Sequence, residues 1–156
     1  MEFQIEPMAM KHYDQVIALW RTCEGIGLSD ADSRDNVRTY LFRNPGLSYV
    51  VIAKMRVVAA VFCGHDGRRG YLNHLAVHRD YRRQGLGRSL VKKCLATLDT
   101  IGIAKCHLFI FRKNSDNARF WEHMGWELRS DLRVASKYTG DSVASDDRAL
   151  SGGTLL

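Results

Sequence analysis

The sequence predicts an α/β (α+β) protein in which a mixed sheet carries helices on its faces. Three observations predict this class. Segments rich in β-forming residues alternate with segments whose apolar residues have helical spacing, and two of the β-rich segments form a hairpin. One predicted strand also leads through a glycine-containing loop into a helix. With 156 residues, 46% hydrophobic and 26% charged, the composition is that of one globular domain. We expect this domain over residues 1–138, followed by a flexible tail of residues 139–156.

The first part of the chain predicts a short edge strand and two helices. Residues 3–5 alternate weakly between polar and apolar side chains, as in an edge strand. Residues 13–20 place apolar side chains at i, i+3, i+4 and i+7, which predicts one buried stripe of a helix. A loop over residues 24–30 leads to a second short helix around residues 37–41, and Asn44-Pro45-Gly46 ends it.

The remainder alternates strands and helices, so that the full order is β-α-α-β-β-β-α-β-α-β. A hairpin is predicted first, then a strand, a helix that follows Gly85 and ends near Gly102, and a last group of two strands around one helix. The predicted strands cover residues 48–53, 57–63, 71–78, 106–111 and 125–134, and the last helix covers residues 115–124.

Several functional classes are excluded by hydropathy and cysteine usage. No apolar run approaches the ~20 residues that span a bilayer. The N-terminus has two Glu where a signal peptide would be basic and apolar, so we expect a cytoplasmic protein without membrane attachment. The four cysteines lie far apart and form no C-x-x-C pair, which predicts reduced thiols and no metal site.

A basic loop with two glycines follows the strand over residues 71–78. Gly85 and Gly87 stand where that strand gives way to a helix, and N–H groups at a helix start attract anions. Six of the 23 basic residues lie between Arg79 and Lys93, against one Asp. This concentration favours a phosphorylated small molecule over nucleic acid, since no helix-turn-helix pattern or aromatic-interleaved basic repeat is present.

The segment from Arg82 to Gly87 reads R-x-x-G-x-G and resembles the pyrophosphate loop of the GCN5-related N-acetyltransferase (GNAT) superfamily. Further landmarks follow in register: a strand ending in Phe109-Ile110-Phe111, then Asn114, Trp121 and Gly125-Trp126. The resemblance covers about residues 3–138. It implies a GNAT fold with a mixed, mostly antiparallel central sheet of six to seven strands and about four helices on its faces.

The resemblance implies an acetyltransferase that uses acetyl-CoA as co-substrate. The backbone before the loop is expected to pair with the pantetheine arm, the loop amides to cradle the pyrophosphate, and Asn114 to bond the pantetheine or nearby backbone. The two central strands are expected to splay apart and admit the thioester. The implied acetyl-CoA-binding residues are Leu75, Ala76, Val77, Arg82, Arg83, Gln84, Gly85, Leu86, Gly87, Arg88, Asn114 and Trp121.

The catalytic candidates are Tyr71, Asn73, His74 and Trp121. Relatives often place a Glu or His base on the strand before the loop. Regular alternation puts Tyr71 and Asn73 on one face and His74 on the other, unless a bulge intervenes. Trp121 stands where many relatives have a Tyr that protonates the CoA thiolate; an indole N–H donates a hydrogen bond but keeps its proton near neutral pH.

Other groups near these residues offer alternatives for proton transfer. A water relay that ends on His74, His65 or Asp66 is as good a candidate for the base as any single residue. Water or another group could protonate the CoA thiolate, or the thiolate could leave without being protonated.

The acceptor site is expected against the first two helices and the loop of residues 25–34. Acidic side chains at this loop and on a nearby turn predict a cationic primary amine as substrate: Glu24, Asp30, Asp32 and Asp66. Asp30 and Asp32 suit a helix cap equally well. A small amine or amino-acid derivative is favoured over a protein N-terminus or lysine.

Two rival functions remain at this level. The first is a non-catalytic acyl-CoA-binding or sensor domain of the same fold, which Trp121 and the missing carboxylate base favour. The second is a nucleic-acid binder, suggested by the basic charge alone. Dimers are common in the family and form through the last strand, so a homodimer is a further expectation of the resemblance.

Overall fold

The computed structural model describes residues 2–140 and contains, over that range, a five-stranded sheet in the order β1-β2-β3-β4-β5. The first four strands pair antiparallel, and β5 pairs parallel with β4. The strands are β1 (Gln4–Pro7), β2 (Tyr49–Ala53), β3 (Arg56–His65), β4 (Gly70–Val77) and β5 (Cys106–His107), and the α-helices are α1 (Tyr13–Thr22), α2 (Arg34–Arg43), α3 (Leu86–Thr100) and α4 (Ser115–His123).

Two apolar layers cover the two faces of this sheet. One layer packs α3 and Trp121 of α4 against side chains that include Val61 and Cys63 of β3. The other packs α1 and Val37 of α2 against side chains that include Ala60 and Phe62. Because β3 is buried on both faces, its sequence is almost continuously apolar rather than alternating.

The two C-terminal strands differ from the prediction. The β5 strand covers Cys106–His107 instead of residues 106–111, and residues 125–134 form no strand. The described part of the chain therefore has five strands where six to seven were expected. Alternation of polar and apolar side chains favours a strand, but a strand also needs a neighbouring backbone with which to form hydrogen bonds. Leu128, Leu132 and Val134 accordingly stay about half exposed.

The remaining predicted elements form close to their predicted bounds. α1 and α2 follow the apolar periodicity, and α3 begins directly after Gly85. No helix within residues 2–140 is long and apolar enough to cross a membrane. The tail predicted from residue 139 lies outside the described residues, apart from residues 139 and 140.

Ser48 joins the start of β2 to β3 through a buried side chain that is 2% exposed. Its hydroxyl accepts the Cys63 N–H at 3.0 Å and donates to the Cys63 carbonyl at 3.2 Å. This one hydroxyl thus supplies both a donor and an acceptor to a backbone position shielded from water.

We expect Ser48→Ala to lower the free energy of unfolding by about 1–3 kcal/mol, because both buried polar groups of Cys63 lose a partner. Urea denaturation measures this effect. Ser130→Ala, at an exposed position, is the matched control and should change stability by less than about 0.5 kcal/mol. Equal losses in the two variants would contradict the assignment.

Candidate active site

A cleft opens where β4 and β5 separate. The two strands pair only at Gly70–Cys106 and Tyr71–His107. Beyond Tyr71, about 670 Å³ of space lies between residues 72–75 and residues 108–111. The loop after α1, the basic loop and the first turns of α4 complete the walls. The other lining residues are Thr22, Glu24, Gly25, Ile26, Arg79, Arg82, Asn114, Asp116, Asn117, Trp121 and Val134.

A bulge in β4 determines which side chains lie on each face. The register with β3 shifts next to Phe62, and His74 has a φ of +55°. The His74 ring packs against Phe62 and Trp20, whereas Leu75 packs into the opposite layer. The bulge therefore places His74 on the face of Asn73, which regular alternation would not.

Asp32 bonds directly to His74. The Nε2 atom of His74 lies 2.9 Å from Oδ1 of Asp32, and the two side chains are 6% and 8% exposed. The other Asp32 oxygen accepts the Ser29 N–H at 3.0 Å, within the 3₁₀ turn Asp30–Asp32. Tyr13 donates its hydroxyl to the Asp32 carbonyl at 2.8 Å. These contacts fix Asp32 against β4 rather than in the open cleft.

The other two predicted acceptor carboxylates also lie outside the cleft walls. Asp66 accepts the N–H groups of Arg69 and Arg68, each at 2.8 Å, within its own turn. These two hydrogen bonds lower the pKa of Asp66. Asp30 lies exposed at the start of its 3₁₀ turn.

The carboxylates that do line the cleft are Glu24 and Asp116. Glu24 follows α1, and its neighbour Gly25, at φ +80°, approaches the Asn114 side chain closely. Glu24 is one of the acidic side chains that the sequence suggests for the acceptor site, whereas Asp116 is not predicted from the sequence. The signal that points to Glu24 is its place in the loop after α1, beside the glycine that lets this loop meet α4.

The basic loop presents backbone N–H groups at the start of α3, a helix of 15 residues. Gly85 occupies the N-cap at φ +77°, and Arg83 also has a positive φ of +60°. Ser89 donates the first hydrogen bond of this helix, to the Gly85 carbonyl at 2.9 Å. The N–H groups of residues 86–88 therefore precede the helical hydrogen bonds and add to the positive end of the helix dipole.

The loop is fixed to the end of β4. Arg82 donates its Nε–H to the Val77 carbonyl at 3.1 Å. A Cβ added at Gly87 would lie 3.5–3.9 Å from the side chains of Phe120, Val77 and Leu75. The start of α3, the end of β4 and one face of α4 thus meet at one corner of the cleft.

The α4 helix begins at a capped residue and supports an aromatic wall. The Asn114 side chain accepts the Asn117 N–H at 3.1 Å. Gly125, at φ +86°, ends the helix, and the Trp126 N–H then bonds the Trp121 carbonyl at 3.0 Å. The two indole rings meet edge to face with centroids 5.0 Å apart. Trp121 therefore belongs to both the core and the cleft wall.

The structure brings three of the four catalytic candidates to the cleft: Asn73, His74 and Trp121. Tyr71 lies at the closed end, where β4 still pairs with β5, and its ring centroid is 5.9 Å from that of His107.

Burial raises the pKa of Tyr40, which packs behind Phe62. This phenol therefore stays protonated and is unsuited to act as a base.

Buried thiols offer no alternative nucleophile. The contact with the Cys63 thiol, together with burial, raises the pKa of Cys94. Burial raises the pKa of Cys106 to about 12. The reactive form of cysteine is the thiolate, so neither side chain is an effective nucleophile near neutral pH. Among the described residues, no cluster of three or more His, Cys, Asp or Glu is arranged to hold a metal ion.

Comparison with known proteins identifies the family of the chain and its fold. The sequence model of the Acetyltransferase (GNAT) family matches residues 13–126. An acetyltransferase of Pectobacterium atrosepticum is 28% identical over 129 residues, which is 83% of this chain and 91% of that protein. The PaiA N-acetyltransferase of Thermoplasma acidophilum, solved in complex with coenzyme A, superimposes with a TM-score of 0.72 at 15% identity, covering 83% of this chain and 92% of that one.

A second solved structure has the same fold. The AAC(6')-Iy protein, in complex with the bisubstrate analogue CoA-S-monomethyl-acetylneamine, superimposes with a TM-score of 0.71 at 14% identity. The match covers 88% of this chain and 99% of that one.

We expect Asn114→Ala to destabilise the protein by about 1 kcal/mol, because α4 loses its N-terminal cap. Asn114→Asp keeps a side-chain oxygen that accepts the Asn117 N–H and should remain close to wild type. Equilibrium unfolding in urea compares the three proteins. A stability loss of the same size in both variants would show that the cap contributes little.

Proposed function

The chain belongs to the acetyltransferase (GNAT) family, and from that premise we propose that it acetylates a small cationic primary amine in the cleft between β4 and β5. Family membership makes the protein an N-acetyltransferase with acetyl-CoA as its co-substrate. The proposal concerns the acceptor and the roles of individual residues. The observation that carries it is the free edge of β4 beyond Tyr71, which residues 78–85 connect to the start of α3.

The residues of the cleft fit acetyl-CoA, the acetyl donor. Over residues 72–77, the side of β4 that faces away from β3 has no strand neighbour within the described chain. We expect backbone groups on this side, among Leu75, Ala76 and Val77, to bond the amides of a pantetheine arm as an added strand would, while the Val77 carbonyl keeps its bond to the Arg82 Nε–H. The α3 start and the guanidinium groups of Arg79 and Arg82 then lie where the diphosphate is expected.

The reaction needs a neutral amine close to an acetyl thioester. Acetyl-CoA supplies that thioester and its thiolate leaving group. The cleft walls hold the amine beside it, and such proximity alone contributes several kcal/mol to lowering the barrier. We assign removal of a proton from the incoming ammonium group to His74, a residue of the cleft wall whose neutral imidazole has a nitrogen that accepts a proton. Trp121 shapes the wall and can donate its indole N–H, but it supplies no proton for the thiolate.

Glu24 is the acceptor-binding residue that the geometry favours. It lies in the cleft wall on the loop after α1. A carboxylate there attracts a cationic amine. The space of about 670 Å³ is shared with the pantetheine arm of acetyl-CoA, which favours a small acceptor. A small acceptor also agrees with the bisubstrate analogue bound by AAC(6')-Iy.

The runner-up function is acyl-CoA binding without turnover, which the indole at position 121 favours. Release of free CoA in the presence of amines distinguishes the two functions. Steady release with at least one amine supports the enzyme; tight acetyl-CoA binding with no release across the panel supports the sensor.

We expect wild type to bind acetyl-CoA, CoA and desulfo-CoA with Kd on the order of micromolar, and Gly85→Glu to lose that binding. The glutamate would strain the N-cap, whose φ is +77°, and would place a negative charge beside the phosphates. Isothermal titration calorimetry measures the three affinities.

Gly102→Glu is the matched control for that loss. Gly102 follows the far end of α3, has a similar φ of +83° and has open space around its Cα. The control should therefore bind as wild type does. Loss of binding in both variants, or no binding by wild type, would contradict the assignment of the loop.

We expect Glu24→Gln to raise the KM for cationic amines about tenfold with little change in kcat, because it removes an attraction present before the chemical step. Initial rates of CoA release, measured with mono-, di- and polyamines, test this effect. Glu122→Gln, on α4 but outside the cleft walls, is the control. An unchanged KM in Glu24→Gln would remove the assigned role.

A further inference from the structure

We propose that Asp32 is a positioning residue for His74: it fixes the imidazole in the tautomer that carries its proton on Nε2 and leaves Nδ1 as the proton acceptor. The inference deepens the proposed function and depends on it, since His74 there removes a proton from the amine. It also gives Asp32 a different role from the substrate contact that the sequence suggested.

The hydrogen-bond partners of Asp32 determine the tautomer. An ionised carboxylate only accepts hydrogen bonds. One Asp32 oxygen already accepts the Ser29 N–H, and the other lies 2.9 Å from Nε2 of His74. The hydrogen in that contact therefore belongs to His74, and the second ring nitrogen holds the lone pair in the neutral ring.

The surroundings of His74 hold the ring in one orientation. The ring centroid lies 4.9 Å from that of Trp20 and 5.9 Å from that of Phe62. The backbone of His74 has a φ of +55°, a strained conformation for a residue other than glycine. Such a conformation persists where the surrounding structure holds it. Strain of this kind concentrates at functional sites, and here it lies on the strand that borders the cleft.

The charge around His74 also suits a group that gains a proton. When the ring becomes imidazolium, the Asp32 carboxylate lies directly beside it and stabilises the positive charge. Other titratable groups near this face are Tyr13 on α1, whose hydroxyl bonds the Asp32 backbone, Tyr40 on α2, behind Phe62, and Cys23, directly after α1. Arg34 lies over the Tyr13 ring and pairs with Asp14. Asp32 is thus the ionisable side chain in direct contact with the ring.

A purely structural pair would have a different signature. In that case the contact would only attach the 3₁₀ turn to β4. Any substitution that loosened the turn would then change kcat/KM and its pH dependence as Asp32→Asn does. Asp32→Asn removes the charge and leaves one acceptor oxygen in place of two, so either the Nε2–H or the Ser29 N–H loses its partner and the turn is loosened as well. Ser33→Ala loosens the same loop by removing the α2 cap, whose hydroxyl accepts the Asn36 N–H at 3.3 Å.

The test combines nitrogen NMR of the histidine rings with the pH dependence of kcat/KM. The His74 resonances are assigned by their loss in His74→Gln. In wild type we expect the neutral ring to carry its proton on Nε2. In Asp32→Asn we expect kcat/KM to fall about 10–100-fold and the acidic limb of its profile to move to lower pH, because the imidazolium form loses its stabilising charge. Ser33→Ala should leave that limb in place.

Three results would overturn the inference. They are a neutral wild-type ring protonated on Nδ1, a limb that stays unchanged in Asp32→Asn, and a limb that moves equally in Ser33→Ala. The tautomer is read in wild type, so it does not depend on whether a variant folds. If wild type releases no CoA with any amine, the proposed function fails, while the tautomer still decides whether Asp32 orients the ring.

Discussion

The site depends on the short pairing between β4 and β5. Two residue pairs join these strands, and beyond them the backbone of β4 borders a cleft instead of a neighbouring strand. Backbone N–H and C=O groups in such a place need partners, and water or a ligand with amide groups can supply them. The same separation lets α4 and the loop after α1 approach the sheet, so one departure from regular pairing creates both the cleft and its walls.

The bulge at His74 couples this cleft to the second apolar layer. By turning His74 toward Trp20 and Phe62, it links the strand that borders the cleft to α1 and to the 3₁₀ turn that carries Asp32. The strained backbone is held by a hydrogen bond and two ring contacts, so its cost is offset by packing. The start of α3, where we propose that the acetyl-CoA phosphates bind, and the Asp32–His74 pair thus lie on opposite sides of one strand.

The sequence supports prediction where the signal is local. Apolar spacing predicts α1 and α3, and the R-x-x-G-x-G segment with Trp121 and Gly125 predicts the family, which the comparison confirms. The missing strand over residues 125–134 shows the limit, because its alternating side chains require a partner backbone that no local pattern specifies. The Asp32–His74 contact joins residues 42 positions apart and depends on a bulge, so composition and spacing could not locate it.

The central claim is that the free edge of β4 receives the pantetheine arm of acetyl-CoA as an added strand. Amide hydrogen exchange, measured residue by residue with and without CoA, tests this claim most directly. We expect slower exchange on CoA binding at β4 amides within residues 75–77 and at the amides of residues 83–88 in the loop. Protection confined to the loop, with β4 unchanged at saturating CoA, would contradict it.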